Sequence, residues 1–243
     1  MSQTLQLHKV YYINLDTSVA RKAHLEAQLH AAKLDKLSVR FNAIEGRSHQ
    51  FSAAEEQLFA PADFLTLGAK VVQSLKGSFL SHLALWEIAA TLAPQQCLLI
   101  LEDDALICGD FAARLNEVLE HTPDDAEIIW LGSHRYIGCD YFIPIDFNAQ
   151  TLITEQSVHF SDHPHATDFV GHLKKEVNPT TLAYLITAAG AKNLIKHSRL
   201  TGVLRATDWQ MNDFFYSRSR QYAAYYPLAT SSSELFKSDI WRP

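Results

Sequence analysis

Over its first half, the chain alternates short apolar runs with longer amphipathic stretches. Four apolar, β-rich runs are typical of strands, at residues 10–13, 39–44, 97–101 and 127–132. The third run is predicted to be a strand buried on both faces, although so short a run also fits a buried helix. Apolar residues recur at helical spacing between the runs. The resulting β-α-β-α-β-α-β order indicates βαβ units, a mainly parallel sheet and an α/β fold.

The pattern weakens in the middle of the chain and then returns. Gly and Pro repeatedly interrupt residues 133–178, which we predict to form an irregular loop that walls or covers a site. Beyond this loop the sequence favours two strands and two helices, at 181–186, 222–226, 188–197 and 208–215. Because no linker or internal repeat divides the sequence, we predict one domain over residues 1–243.

Composition limits the functional classes. The 243 residues are 47% hydrophobic and 20% charged, which is ordinary for a globular protein with a sizeable core. A net charge of −6 gives no electrostatic footprint for nucleic acid. Residues 1–8 do not look like a signal peptide and no run approaches the roughly 20 apolar residues of a spanning helix, so we expect a cytoplasmic protein. Cys97, Cys108 and Cys139 lack CxxC spacing and are predicted to be free thiols.

Three adjacent carboxylates follow the run at 97–101: Glu102, Asp103 and Asp104. Ionised carboxylates do not enter a core unpaired, so we expect them at the carboxyl end of the strand, where open α/β sheets place their ligands. In an extended chain, Glu102 and Asp104 share one face and Asp103 the other. Two converging carboxylates suit Mg²⁺ or Mn²⁺. The alternative is a solvated acidic loop.

Several segments match one known family in its own order along nearly the whole chain. They are Ile13-Asn14-Leu15 with Arg21, residues 41–46, Gly77 with Ser81-His82, residues 101–104, residues 184–186 with Gly190-Ala191, Asp208, Pro227 and residues 238–240. Together they resemble glycosyltransferase family 25, which includes bacterial galactosyltransferases of lipopolysaccharide and lipooligosaccharide assembly. Leu75 stands where such proteins often carry an acidic residue.

The resemblance implies a GT-A-like nucleotide-sugar-binding fold and an inverting transfer. Residues 1–132 are then the nucleotide-binding half and residues 133–243 the acceptor-side half. Glu102-Asp103-Asp104 resembles the metal-binding Asp-x-Asp motif of such enzymes. Asp104 is the predicted direct ligand of Mn²⁺ or Mg²⁺ with Glu102 beside it, and Asp103 is predicted to face the nucleotide.

The donor-binding residues implied by the resemblance are Asn14, Leu15, Arg21, Glu45, Gly46, Ser81, His82, Glu102 and Asp103. Two of them have plain structural alternatives. Arg21 also fits the solvated side of a helix, and His82 also fits a satisfied core histidine. Ser81 and His82 are not a nucleophile–base pair, because adjacent helical residues point about 100° apart.

An inverting transfer needs a base for the acceptor hydroxyl, and Asp208 is the predicted one. It precedes an aromatic-rich helix, where Trp209 offers a platform for a sugar ring and desolvation raises the pKa of the carboxyl. The alternative role of Asp208 is a helix N-cap. Asp213 and Asp239 are the other candidates.

The predicted activity is transfer of a hexose, galactose from UDP-galactose, to a core saccharide of a lipid-linked lipooligosaccharide or lipopolysaccharide acceptor. We expect peripheral contact with the cytoplasmic face of the inner membrane through Trp241 or the basic Lys237 and Arg242, and no nucleic-acid partner. The alternatives are a non-catalytic saccharide-binding or scaffold protein of the same fold, and a nucleotidyltransferase, which also uses clustered carboxylates and a metal.

Overall fold

The computed structural model describes residues 4–132, 170–172, 180–218, 220–224, 227–231 and 240; for 170–172 and Tyr216 it describes the backbone alone. Apart from the backbone of 170–172, the predicted irregular loop at 133–178 lies outside the described residues. So do Cys139 and the C-terminal residues invoked above, Lys237, Asp239, Trp241 and Arg242.

The described residues form nine strands and six α-helices. In chain order these are β1 (Gln6–Asn14), α1 (Val19–Ala31), β2 (Ser38–Asn42), α2 (Ala53–Phe59), a 3₁₀ helix (Asp63–Thr66), α3 (Ala69–Ala89), β3 (Gln96–Glu102), β4 (Ala105–Ile107), α4 (Phe111–His121), β5 (Ile128–Trp130), β6 (Val170–His172), β7 (Ala183–Thr187), α5 (Ala188–Thr201), α6 (Thr207–Arg218), β8 (Gln221–Ala224) and β9 (Ala229–Ser231).

Seven strands form one sheet in the order β2-β1-β3-β7-β5-β8-β6. Strands β2, β1, β3, β5 and β8 run in one direction, whereas β7 and β6 run the opposite way. The predicted α/β fold with a mainly parallel sheet is therefore confirmed. Because β7 and β8 come from the second half of the chain, the two predicted halves share this sheet. Strands β4 and β9 form a separate antiparallel pair.

Strand β3 lies at the centre of the core. Its apolar residues are fully buried, so the run at 97–101 is a two-face strand and not a helix. Successive side chains alternate between two clusters. Cys97, Leu99 and Leu101 pack with α1 and α4, while Leu98 and Ile100 pack with α3, α5 and α6. The described residues thus form a three-layer sandwich with the sheet between two layers of helices.

Helix α3 begins at Ala69, earlier than the Gly77-Ser78 start that the sequence pattern indicates. Gly77 lies inside the helix because the segment after β2 crosses it at close range. A Cβ atom on Gly77 would lie 2.5 Å from the carbonyl oxygen of Ile44, and one on Gly46 would lie 1.8 Å from that of Gln73. Two glycines therefore let the loop after β2 lie directly on the helix backbone.

Gly46→Ala is expected to lower the free energy of unfolding by about 1–3 kcal/mol or more, because the added methyl group meets a helix carbonyl that cannot move aside. Urea unfolding followed by circular dichroism measures the change. Gly109→Ala is the matched control, since a Cβ there meets nothing within 4 Å. Equal stability of the two variants would contradict the close crossing.

Candidate active site

A pocket of about 240 Å³ lies at the carboxyl ends of β1 and β3. The end of β1, the start of α1, the loop after β2, the middle of α3 and the end of β3 all contribute to its walls. It gathers nine of the predicted site residues: Leu15, Arg21, Glu45, Gly46, Ser81, His82, Glu102, Asp103 and Asp104. Segments that are far apart in sequence therefore meet at the carboxyl ends of the strands, which is where an open α/β sheet is expected to bind its ligand.

The three carboxylates do not alternate as an extended chain predicts. Strand β3 ends at Glu102, and Asp103 and Asp104 lie in a turn, so all three line the same pocket. Asp103 is buried and held by protein groups: Asn14 Nδ2 donates to one oxygen at 2.7 Å, and Arg21 forms an ion pair with the other at 2.8 Å. Its carboxylate links β1 and α1 to the end of β3. Asp103 also lines the pocket, and its orientation toward a nucleotide stays a prediction.

Asp104 is the least satisfied of the three. Its Oδ1 atom is buried and has no hydrogen-bond partner among the described residues, and its Oδ2 atom lies 3.7 Å from Arg21. Burial raises the pKa of Asp104 to about 7, and the negative charge of Glu102 adds to the increase, while Arg21 opposes it. A buried oxygen without a donor, beside a second carboxylate, has the chemistry of a cation ligand.

Glu102 is held from two sides. The Thr181 hydroxyl donates to Glu102 Oε1, and His82 Nε2 lies 3.6 Å from the same oxygen. Thr181 immediately precedes β7, which pairs with β3 in antiparallel register. No local motif marks this threonine as a site residue. Its contact with Glu102 depends on the pairing of strands that are distant in sequence.

Arg21 lies on the buried face of α1, so the interpretation as a solvated helix residue is wrong. The buried positions of this helix are Arg21, Leu25 and Leu29, spaced four residues apart. That spacing is a signal that the sequence already carried.

Asn14 is also buried and supports the pocket from behind. Its side chain donates a hydrogen bond to Asp103 and accepts one from Arg40 at 2.8 Å.

Ser81 and His82 occupy the middle of α3 and have different tasks. The Ser81 hydroxyl donates to Gly77 O at 2.8 Å and accepts from the Ile44 backbone N–H at 2.9 Å. Ser81 thereby fixes the loop after β2 on the helix. His82 is only 1% exposed and its Nδ1 lies 2.8 Å from the Tyr184 hydroxyl. It is a hydrogen-bonded core histidine that also reaches the pocket.

Arg47 was not among the predicted site residues, yet it lines the pocket. Its guanidinium donates to Ser74 Oγ at 3.0 Å and to the backbone carbonyl of Ile240 at 3.4 Å. A second arginine in a pocket that also holds carboxylates suits a diphosphate. The available sequence signal was a basic residue directly after the Glu45-Gly46 turn.

Asp208 is the second residue of α6, which begins at Thr207, so it is not the N-cap. Its Oδ1 accepts a hydrogen bond from the Trp209 backbone N–H at 2.9 Å. Burial raises the pKa of Asp208 to about 6, with a smaller contribution from the negative charge of Glu102. On the same helix, Asn212 Nδ2 is buried without a hydrogen-bond partner among the described residues.

Asp213, the other base candidate on α6, is 40% exposed and lies 3.3 Å from Arg205 in a surface ion pair.

A separate group of potential metal ligands lies away from the pocket on α4, at Glu117, Glu120 and His121. Exposed acidic groups of this kind are common without a bound ion. Within the described residues, no helix is both long and apolar enough to cross a membrane.

The pocket combines carboxylates at the edge of the sheet with two arginines, a set of groups that suits a phosphate-bearing ligand. The model of glycosyltransferase family 25, described as a lipopolysaccharide biosynthesis protein, matches residues 7–209. The chain belongs to this family. The predicted resemblance is therefore confirmed, beside the α/β fold class that the sheet already shows. That the fold is GT-A-like stays a prediction from the family resemblance.

Other comparisons add less. A crystal structure of mouse xyloside xylosyltransferase 1 in its apo form is similar, with 11% sequence identity and a TM-score of 0.40, over 89% of this chain and 84% of that chain. Comparison with curated proteins gives no match. Family membership makes the protein a glycosyltransferase, with a nucleotide-sugar donor and a saccharide acceptor.

Proposed function

We propose that the protein is a metal-dependent inverting glycosyltransferase that transfers a hexose, galactose from UDP-galactose, to a lipopolysaccharide or lipooligosaccharide core saccharide. The observation that carries the metal-dependent part is the buried Oδ1 atom of Asp104, which lies beside Glu102 and has no hydrogen-bond partner within the described part of the chain. The donor sugar and the inverting stereochemistry come from the family resemblance alone.

The residues of the pocket fit a divalent cation. Asp104 and Glu102 would hold it through hard carboxylate oxygens, which suit Mn²⁺ or Mg²⁺. When bound, such an ion neutralises negative charge on a departing diphosphate. Arg47 and Arg21 add fixed positive charge to the same pocket, and both suit the oxygens of a diphosphate.

Asp208 is the proposed base. As the acceptor oxygen forms its bond to the anomeric carbon, the bond from that carbon to the diphosphate oxygen breaks, and the hydroxyl proton passes to the Asp208 carboxylate. A pKa raised to about 6 makes this carboxylate a stronger proton acceptor while it stays ionised at neutral pH. The amide nitrogen of Asn212 on the same helix has no hydrogen-bond partner in the part of the chain that the structure describes, and an amide N–H of this kind suits a sugar hydroxyl.

The acceptor is proposed to be lipid-linked and to be met at the cytoplasmic face of the inner membrane. This part rests on the lipopolysaccharide-biosynthesis description of the family. The aromatic and basic residues proposed to contact the membrane, Trp241, Lys237 and Arg242, lie outside the described residues.

A non-catalytic saccharide-binding protein was suggested by Leu75, which replaces a frequent acidic residue of the family. Leu75 is buried in the core cluster below α3, so packing accounts for an apolar residue at this position.

A panel of nucleotide sugars with Mn²⁺ and saccharide acceptors tests the proposal. Acceptor-dependent release of UDP from UDP-galactose is the expected result. Release of pyrophosphate from a nucleoside triphosphate would instead identify a nucleotidyltransferase. Saccharide binding without release from any donor would identify a binding protein. Release of UDP from another hexose donor would correct the donor sugar and leave the reaction class intact.

A further inference from the structure

Two buried hydrogen bonds, followed by a contact of 3.6 Å, lead from the core to the floor of the pocket. Trp86 Nε1 donates to the Tyr184 hydroxyl at 2.9 Å, and that hydroxyl lies 2.8 Å from His82 Nδ1. On its other side, His82 Nε2 lies 3.6 Å from Glu102 Oε1. Trp86 and Tyr184 are fully buried and His82 is nearly so. Helix α3 and strand β7 thus hold three rings behind one pocket carboxylate.

The chemistry of these groups sets the direction of the hydrogen bonds. An indole nitrogen only donates, so the Tyr184 oxygen accepts from Trp86. Burial raises the pKa of Tyr184, and its hydroxyl therefore keeps its own hydrogen. Among the described residues, His82 Nδ1 is the acceptor within reach of that hydrogen. A hydrogen on Nδ1 would leave the buried tyrosine hydrogen without an acceptor, which costs free energy.

We propose that Tyr184 and Trp86 are positioning residues of the active site, which fix His82 in the tautomer that carries its hydrogen on Nε2 and so present an N–H to Glu102. Thr181 holds the same Glu102 oxygen through its hydroxyl. The carboxylate proposed to sit beside the metal is therefore oriented from two sides, by Thr181 and by His82. Partners of this kind fix the orientation and basicity of metal ligands.

This proposal gives His82 a task different from the donor contact predicted for it. The histidine acts on Glu102, and Tyr184 acts through the histidine. It rests on the proposed function only where Glu102 is a metal neighbour. The tautomer itself depends on the buried hydrogen bonds and is measurable in the protein without donor or metal.

The first test is ¹⁵N NMR of histidine-labelled protein without metal or donor, at alkaline pH, with the His82 signals assigned from the spectrum of His82→Gln. The wild type is expected to show a hydrogen on Nε2 alone. Tyr184→Phe is expected to show a mixture of tautomers, because Nδ1 loses its donor. A wild-type spectrum with the hydrogen on Nδ1 would overturn the proposal without any variant.

The second test is calorimetric titration of Mn²⁺ into the same proteins. Tyr184→Phe is expected to raise the dissociation constant by about 10- to 100-fold, the usual cost of losing a partner behind a metal ligand. Trp130→Phe is the matched control. The Trp130 ring lies 5.9 Å from that of Tyr184, but its indole N–H faces Gln221, at 3.4 Å. This control is expected to change neither the tautomer nor the Mn²⁺ affinity.

The two tests separate this proposal from the proposed function. If none of the proteins binds Mn²⁺, metal dependence fails and the tautomer alone decides the role of Tyr184. If Tyr184→Phe keeps both the wild-type tautomer and the wild-type affinity, the hydrogen bond is structural and the proposal is wrong. Should Tyr184→Phe fail to fold, Trp86→Phe is the second variant. It removes the hydrogen bond that the Tyr184 hydroxyl accepts from Trp86, and it is expected to shift the tautomer in the same direction.

Discussion

Asp104→Asn is expected to lower turnover by about 100-fold or more, the scale of losing one preorganised electrostatic contact in a transition state. The substitution keeps the shape of the side chain and removes one negative charge from the proposed cation site. Affinity for Mn²⁺ and for UDP should therefore fall together. Calorimetric titration of Mn²⁺ and then UDP, beside a UDP-release assay, measures all three quantities.

Glu117→Gln is the control for the location of the metal, because Glu117 belongs to the exposed group on α4 that also offers cation ligands. It is expected to leave turnover and Mn²⁺ affinity unchanged. Loss of Mn²⁺ binding in Glu117→Gln, with wild-type binding in Asp104→Asn, would move the metal to α4. The acidic triplet would then be a charged edge without a cation.

Asp104→Asn should also stabilise the metal-free protein, by an amount that depends on pH. The Asp104 pKa of about 7 in the folded protein lies above the ordinary value of 3.8. Between these values the folded state binds more protons at this position than the unfolded state, so this carboxyl makes the free energy of unfolding fall as pH rises. The stability advantage of Asp104→Asn should grow from pH 4 to 7 and level off above it, in urea unfolding without metal.

Asp208→Asn is expected to lower kcat by about 10²- to 10⁴-fold while the KM for the donor stays near the wild-type value, because a base acts on the acceptor and not on donor binding. The pH profile gives an independent check. A base must be ionised, so the wild-type rate should rise with pH through about 6, the raised pKa of this carboxyl. That rise should be absent from the residual activity of the variant.

Asp213→Asn on the same helix is the matched control, since its carboxylate forms an exposed pair with Arg205. It is expected to keep wild-type kcat. If Asp208→Asn also kept its kcat, the base would lie elsewhere, and Asp239 or the segment at 133–178 would take its place as the candidate.

The sequence was informative wherever a functional residue followed a regular element directly. The apolar run before Glu102 predicted a buried strand, and the ends of β1 and β3 then brought Leu15 and the acidic triplet to one edge. Arg21 was open to two interpretations. Its charge indicated a solvated position, whereas its four-residue spacing from Leu25 indicated the buried face of the helix. The contacts of Asp103 with Asn14 and Arg21 were not foreseen, because the chain leaves the extended conformation after Glu102.

Residues that depend on distant pairing were not predictable in this way. Thr181 and Tyr184 lie near Glu102 because β7 runs antiparallel beside β3. Nothing in the pattern of residues 181–186 indicates that β3 is the neighbouring strand. Gly77 was misleading for a related reason. Glycine usually marks the end of an element, but here it permits a backbone crossing that only the folded loop after β2 creates.

The position of β7 also bears on how the chain is made. Strand β7 separates β3 from β5, although both of those strands precede it in the sequence. On the ribosome, β3 emerges with one edge unpaired and β5 with both edges unpaired. Strand β7, which pairs with both of them, ends at residue 187, and β8, the other neighbour of β5, begins only at Gln221. Unpaired apolar strand edges are where nascent chains aggregate. A polypeptide terminated after residue 132 lacks β7 and β8 and therefore cannot complete the sheet, so residues 1–132 are not expected to fold as a separate unit.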